Sequence, residues 1–189
     1  MPDLLQTLLK YDPGHLKIVA GFWGIDIHTQ NAASVAEQLA ASLLDRETVR
    51  ETLELLPADG RAALNFLINS NGKSEWTGFA RQYGEIREMG EGRRDREKPH
   101  QNPISTSEIL FYRGLLAKAF FDSGKGAQEY AYIPEDLIPF IEQGDRRAGD
   151  EILGRAATPA ERSTERPAND HRHGSASVYR GMRRQHFAD

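Results

Sequence analysis

Residues 56–141 carry the strongest pattern in this sequence. Apolar side chains recur there at helical spacing in three successive segments, and two aromatic runs follow, on either side of a glycine-rich loop. Three- and four-residue spacing is typical of one buried helix face, whereas aromatic runs around such a loop are typical of a β-hairpin. Three helices followed by a hairpin is the order of a winged helix-turn-helix, so the sequence predicts a mainly α fold of this kind.

Turn and cap signals divide the three predicted helices. The first ends at a turn containing Gly72, and Ser74 is placed to cap the second. The third is predicted to begin at Ser105, where Glu108 three residues later completes a capping box, and its apolar positions continue to Ala119. In a winged helix-turn-helix, this third helix is the one that enters the major groove of DNA.

The winged-helix domain is assigned to residues 57–142, with an insertion at 85–103 where a helix-turn-helix ordinarily has a tight turn. Residues 1–56 contain short amphipathic helices and predict a small helical subdomain. Residues 143–189 contain too few apolar side chains to offset the entropy lost on ordering, and predict a disordered C-terminal tail. A chain that ends on such a tail is expected to be the N-terminal piece of a longer protein.

Part of the N-terminal subdomain resembles a nucleic-acid-binding motif. A short apolar helix stops at Gly24 and Ile25, and after a turn a second helix rich in alanine, serine and leucine follows. This arrangement resembles the helix-extended-helix motif of the SAP and Rho N-terminal families, which implies DNA or RNA binding. The first helix has Lys17 as its one basic residue, and the second has none before Arg46. A subdomain that only packs against its neighbour is therefore the favoured interpretation.

The charge balance restricts the partners that the chain can bind. The chain has 24 basic and 28 acidic residues, a net charge of -4, and residues 57–142 hold 11 basic against 13 acidic residues. A protein that neutralises phosphates usually carries visible positive charge, so affinity for DNA requires local clustering. The absence of cysteine and of any long apolar run predicts a cytoplasmic protein that does not contact a membrane.

Basic residues cluster in the insertion and occur on the elements after it. Those between residues 93 and 98 alternate with Asp95 and Glu97. On a mobile, glycine-rich segment they favour contacts with phosphates, whereas the alternating signs favour a solvated loop that pairs with itself. The candidate nucleic-acid-binding residues are Arg93, Arg94, Arg96 and Lys98 of the insertion, Arg113 and Lys118 of the third helix, and Lys125 of the wing.

Catalytic, metal-binding and cofactor-binding patterns are absent from the sequence. It has no G-x-S-x-G elbow, no H-E-x-x-H helix and no phosphate-binding G-x-x-x-x-G-K-[ST] loop. The serines and threonine at 105–107 are explained by helix capping. His171 and His173 in the tail lack the partners that a metal site requires. We therefore expect a non-catalytic protein without a metal or a cofactor.

Three stretches in the middle of the chain form a further pattern: Leu64 to Gly72, Tyr112 to Leu116 with Gly114, and Tyr132 to Leu137 with Pro134. This pattern resembles the winged-helix region of bacterial helicase-associated proteins, which are related to the N-terminal part of XPB-type helicases. The ATP-binding loop of a helicase is missing. The resemblance therefore implies a DNA-associated accessory module that does not hydrolyse ATP.

Two functions are compatible with these patterns. The leading hypothesis is a non-catalytic DNA-binding accessory protein of the helicase-associated winged-helix type, whose basic residues contact the phosphates of double-stranded DNA. The alternative is a protein-interaction module that docks a helicase or another partner without touching DNA, through exposed aromatic residues such as Phe111 and Tyr130. The resemblance favours the first function and the charge balance favours the second. A contiguous basic face would support DNA binding, and a mixed face with an apolar patch would support protein docking.

Overall fold

The computed structural model describes residues 1–29, 31–122, 124 and 126–143. Within them the protein is mainly helical, with a small three-stranded antiparallel sheet. The position of Lys125 and the disorder predicted for residues 144–189 lie outside the described residues.

The N-terminal part is helical because polar side chains cap the start of each helix. The helices are α1 (Leu4–Leu8), α2 (Pro13–Phe22), α3 (Ala32–Leu43) and α4 (Arg46–Glu54). Asp3, Asp12, Asn31 and Asp45 each accept a hydrogen bond from a backbone N–H in the first turn of the helix that follows. Just beyond α2, Gly24 has a φ of 63°, the left-handed conformation that glycine favours after a helix.

The rest of the described chain combines short helices with the sheet. Its elements are α5 (Ala58–Asn69), β1 (Lys73–Glu75), α6 (Trp76–Tyr83), α7 (Glu91–Glu97), α8 (Thr106–Phe111), β2 (Ala117–Asp122) and β3 (Ala127–Tyr132), and residues 138–143 are helical. β2 and β3 form the predicted hairpin, with Ala117 opposite Tyr132 and Asp122 opposite Ala127. β1 pairs with the other edge of β3, which gives the strand order β1-β3-β2.

The third predicted helix is shorter than expected. α8 ends at Phe111, and the N–H groups of Gly114 and Leu115 donate to the carbonyls of Phe111 (3.0 Å) and Leu110 (3.1 Å). Gly114 has a φ of 69°, so the helix closes in a Schellman motif. The prediction of a helix reaching Ala119 is wrong, because the apolar run after the glycine pairs with β3 as a strand.

A strand occupies the position where a helix cap was predicted. Ser74 lies in β1, opposite Ala131 of β3, so the prediction that it caps the next helix is wrong. Glu75 precedes α6 without a side-chain cap. The predicted turn is confirmed, since Asn71 and Gly72 have positive φ values of 58° and 77° and lead the chain from α5 into β1.

Both sides of the predicted boundary at residue 56 contribute to one continuous hydrophobic core. Trp23 donates from Nε1 to the carbonyl oxygen of Arg113 at 2.7 Å, and the hydroxyl oxygens of Thr7 and Tyr132 lie 3.1 Å apart in a buried contact. A common core holds α1 to α4 against the later helices and the sheet. The division into domains at residues 1–56 and 57–142 stays a prediction.

Candidate functional site

The insertion is built into the fold. α7 lies within it, and the guanidinium of Arg94 donates to both carboxylate oxygens of Asp12, at 2.5 and 2.8 Å. Arg94 is 5% exposed. Burial raises the pKa of Asp12, but the hydrogen bonds from Arg94 and the backbone lower it, and the net shift is downward. The interpretation of the insertion as a mobile segment is therefore wrong, because the ion pair of the buried Arg94 fixes α7 to the start of α2.

A second ion pair joins the insertion to α8. The carboxylate of Glu108 is fully buried and accepts from the backbone N–H, Nε and Nη2 of Arg87 at 2.9, 2.7 and 2.8 Å, and from the N–H of Ile104 at 3.0 Å. Ser105 caps α8 as predicted, accepting from the N–H of Glu108 at 3.1 Å. The reciprocal half of the predicted capping box does not form, because Arg87 and Ile104 occupy the carboxylate.

Aromatic side chains from the N-terminal part pack against Phe111, the last residue of α8. His15 of α2 stacks on Tyr11 with ring centroids 4.0 Å apart and meets Phe111 edge-on at 4.7 Å. Within α8 itself, Ser107, Glu108 and Leu110 are buried. α8 contains no basic residue. α8 therefore contacts both the N-terminal part and the insertion, and its residues Thr106, Ile109 and Phe111 are half-buried.

The burial of His15 makes folding sensitive to acid. The residue is 4% exposed, and burial lowers its pKa from the ordinary 6.5 to about 4. The unfolded chain therefore takes up this proton at a higher pH than the folded chain. The contribution of the neutral, buried His15 to the free energy of unfolding is complete above pH 6.5 and is lost as the pH falls towards 4. At about 1.4 kcal/mol per pKa unit, the loss is about 3 kcal/mol.

We expect His15→Phe to flatten this pH dependence, because the new ring fills a similar space and does not titrate. The measurement is urea unfolding at several pH values between 4 and 7. His28→Gln, at an exposed position, is the matched control and should keep the pH dependence of the unchanged chain. If the free energy of unfolding of His15→Phe fell with pH as steeply as that of the unchanged chain, the assignment to His15 would be wrong.

Several basic residues predicted to contact phosphates already have acidic partners. Arg93 pairs with Glu97 along α7 at 2.6 Å. Lys118 lies in β2 rather than in a helix, and its ammonium is 3.1 Å from Glu129 and 3.4 Å from Glu88. With Arg94 buried against α2, the charges of these three residues are compensated within the protein.

The other described residues that were predicted to contact phosphates have no acidic partner among the residues that the structure describes, but their surroundings differ. Arg96 and Lys98 are exposed and form no ion pair within the described part of the chain. Arg113 follows α8, with its guanidinium 4.3 Å from the ring centroid of Phe22 and its Nη1 donating to the carbonyl of Ile109 at 3.0 Å. No described carboxylate pairs with Arg113, and burial lowers its pKa.

A cleft of about 720 Å³ opens beside Arg113, between α2, the residues after α7 and the end of α8. Sites for small ligands commonly have about 300–1,000 Å³. None of the described residues that line the cleft is acidic. Its walls include the cationic Lys17 and Arg113 and the apolar Ile18, Phe22, Pro103 and Ile109.

The α2 side of this cleft was missed from the sequence. In α2, Gly21 lies four residues after Lys17, and Phe22 lies four residues after Ile18, which is the spacing of one helix face. The sequence predicts a subdomain that only packs against its neighbour, with Lys17 as the one basic residue of this helix. This face of α2 becomes one wall of a cleft only because the insertion, which is distant in sequence, lies against it.

The two aromatic residues that were predicted to be exposed for protein docking are only partly exposed. Phe111 is half-buried against Tyr11 and His15, and Tyr130 is half-buried with the ammonium of Lys73 5.6 Å from its ring centroid. Neither ring is freely exposed, so this part of the prediction is wrong. Phe120 of β2 is instead 71% exposed.

Membrane-spanning helices and metal sites are both absent from the described residues 1–29, 31–122, 124 and 126–143. No helix in these ranges is long and apolar enough to cross a membrane. Nor does any group of three or more histidine or acidic side chains in them come close enough to hold a metal ion.

Comparison of the chain with models of known protein families, with curated proteins and with solved structures found no match. The resemblance to helicase-associated proteins therefore stays an expectation.

Proposed function

We propose that this chain is a non-catalytic protein-interaction module built on a winged helix. The order α5, β1, α6, α8, β2, β3 supports this architecture, because three helices precede a hairpin and a short strand after the first helix completes its sheet. The insertion with α7 enters between the second and third of these helices. It replaces the tight turn of an ordinary helix-turn-helix.

The contacts of Glu108 and Phe111 in α8 are the observation that carries the proposal. A helix that reads a major groove must present side chains to the base edges. In this protein Arg87 holds Glu108, while Tyr11 and His15 pack against Phe111. A duplex could reach the side chains of Glu108 and Phe111 only after these contacts had broken. The winged helix is therefore better suited to bind a protein than to read DNA.

The charges of the protein support the same conclusion. DNA affinity depends on basic residues that neutralise phosphates, and its strength falls with salt in proportion to their number. Arg93, Arg94 and Lys118 are already paired with carboxylates, and the chain as a whole is acidic. The cleft beside α8 supplies instead a concave surface of mixed apolar and cationic character.

Duplex binding through α7 is the second candidate. Arg96 and Lys98 favour it, because both are exposed and neither forms an ion pair within the described residues. Such contacts would hold phosphates without reading bases. The two candidates differ in their response to salt, so the affinity for duplex DNA, measured against salt concentration, tests the proposal. A protein-interaction module should show no salt-dependent DNA binding that these side chains control.

A further inference from the structure

We propose that the cleft beside α8 binds a segment of a partner protein in which an acidic side chain lies next to a bulky apolar one. This inference rests on the proposed function and adds the chemistry of the partner. The charge of the cleft and its shape both favour such a segment.

Arg113 is one of two cationic residues in the described lining of the cleft. Its guanidinium lies over Phe22 and donates to the carbonyl of Ile109, but no described carboxylate pairs with it. Lys17 lines the same cleft and forms no ion pair within the described residues. The chain as a whole has a net charge of -4, whereas the described lining of the cleft has two cations and no acidic residue. The local charge of the cleft is therefore opposite in sign to that of the chain. The cleft is complementary to an anion.

Arg113 also defines the geometry of this anion contact. Arginine presents several N–H donors in one plane, and a carboxylate accepts two of them at once. One nitrogen, Nη1, is used by the carbonyl of Ile109. A carboxylate that bound the remaining donors would compensate a charge that burial disfavours, so it should contribute more than an exposed surface pair does.

Part of the cleft wall is apolar. Ile18, Phe22 and Ile109 line the cleft together with two prolines, and Gly21 leaves its α2 side open. A Cβ atom placed on Gly21 would meet no other atom within 4 Å. A bulky apolar side chain of a partner can therefore lie over Gly21 and bury surface against this wall.

A protein segment fits these features better than a nucleic acid does. A phosphate backbone would satisfy Arg113 and Lys17 but would leave the apolar wall exposed to water. A base could stack on Phe22, but one face of that ring is already covered by the guanidinium of Arg113. Alternating acidic and apolar side chains satisfy both parts of the cleft at once.

The test uses the full-length chain, labelled with nitrogen-15, and three synthetic peptides. The first probe is acetyl-Ser-Asp-Phe-Asp-Leu-Ser-amide, and in the others asparagine or lysine replaces both aspartates. We expect the acidic peptide to shift the backbone amide signals of Gly21 and Gln101, and to bind at least tenfold more tightly than either of the other peptides. Lys17→Gln and Arg113→Gln should each weaken binding of the acidic peptide by about fivefold or more.

A matched pair of glycine variants locates the binding. Gly21→Leu fills the cleft and should abolish binding of the acidic peptide. Gly78→Leu is the control, because Gly78 is also an exposed helical glycine with open space around it but lies outside the cleft lining. Both variants should fold, since leucine has a higher helix propensity than glycine. Binding that survived Gly21→Leu would overturn the proposal.

The remaining outcomes separate this inference from the proposed function. Equal binding of the acidic and asparagine peptides in the cleft would overturn the acidic selectivity and leave protein docking intact. If none of the peptides shifted the signals of Gly21 and Gln101, the inference would be rejected, whereas the proposed function would still be judged by duplex binding. Preferential binding of the lysine peptide would contradict the charge argument directly.

Discussion

Glu108→Ala is expected to lower the free energy of unfolding by about 3–5 kcal/mol, the usual cost of breaking a buried ion pair. The Glu108 side chain has no exposed surface and accepts four hydrogen bonds from Arg87 and Ile104. Burial alone raises its pKa, but the bonds from Arg87 and the backbone reverse the shift, so the carboxylate is charged at neutral pH. Alanine would leave two backbone N–H groups without an acceptor, and the partly buried guanidinium of Arg87 would keep only its bond to the carbonyl of Asn102 at 2.9 Å.

Urea unfolding at pH 7 measures this effect. Glu88→Ala is the matched control, because Glu88 is 86% exposed and meets Lys118 at 3.4 Å. An exposed pair of this kind contributes about 0–1 kcal/mol. Glu108→Gln, which keeps the volume and part of the hydrogen bonding, should lie between the two variants. A loss below about 1 kcal/mol for Glu108→Ala would contradict the buried contact between the insertion and α8.

Arg94→Ala is expected to lower the free energy of unfolding by about 3 kcal/mol, at the lower end of the range for a buried pair. The Arg94 side chain is 6% exposed, whereas that of Asp12 is 26% exposed. After the substitution, water can therefore reach Asp12 and offset part of the loss. Asp12 also caps α2, so the unpaired carboxylate keeps its bonds to the N–H groups of Gly14 and His15.

The neighbouring arginine is the control for this second prediction. Arg93 is 58% exposed and pairs with Glu97 one turn away, so Arg93→Ala should cost about 0.5 kcal/mol or less. Gly14→Ala is an independent check, because a Cβ there would collide with the guanidinium of Arg94. It should reproduce part of the loss. Equal costs for Arg94→Ala and Arg93→Ala, measured by urea unfolding, would mean that α7 is not anchored through Arg94.

Local signals in the sequence were sufficient for much of the fold. Helix starts at Asp3, Asn31 and Asp45 were predictable because a capping side chain acts on backbone groups two or three residues away. The hairpin was predictable for a similar reason, since its aromatic runs flank a glycine-rich loop. The helical propensity after Gly114 was misleading, because pairing with β3 outweighs local preference in a short apolar segment.

The candidate site depends on contacts that no local signal reveals. Arg94 and Asp12 are 82 positions apart, and their pairing converts a predicted phosphate contact into an internal anchor. The alternating charges of the insertion indicated internal pairing, which is confirmed for Arg93 with Glu97. They could not indicate which arginine would be buried. The cleft likewise exists only because the residues after α7 lie against α2.

The most direct test of the central claim is a salt titration of binding to a fluorescent duplex of random sequence. The claim is that Glu108 and Phe111 of α8 are held by contacts within the protein and that Arg93, Arg94 and Lys118 are paired with its own carboxylates. The unchanged chain is compared with a variant carrying Arg93→Ala, Arg96→Ala and Lys98→Ala, which leaves the buried Arg94 in place. We predict weak binding at most in low salt, with the same dependence on salt for both proteins. Tight binding that weakens steeply with salt, with a shallower slope in the variant, would contradict the account and establish α7 as a phosphate-binding element.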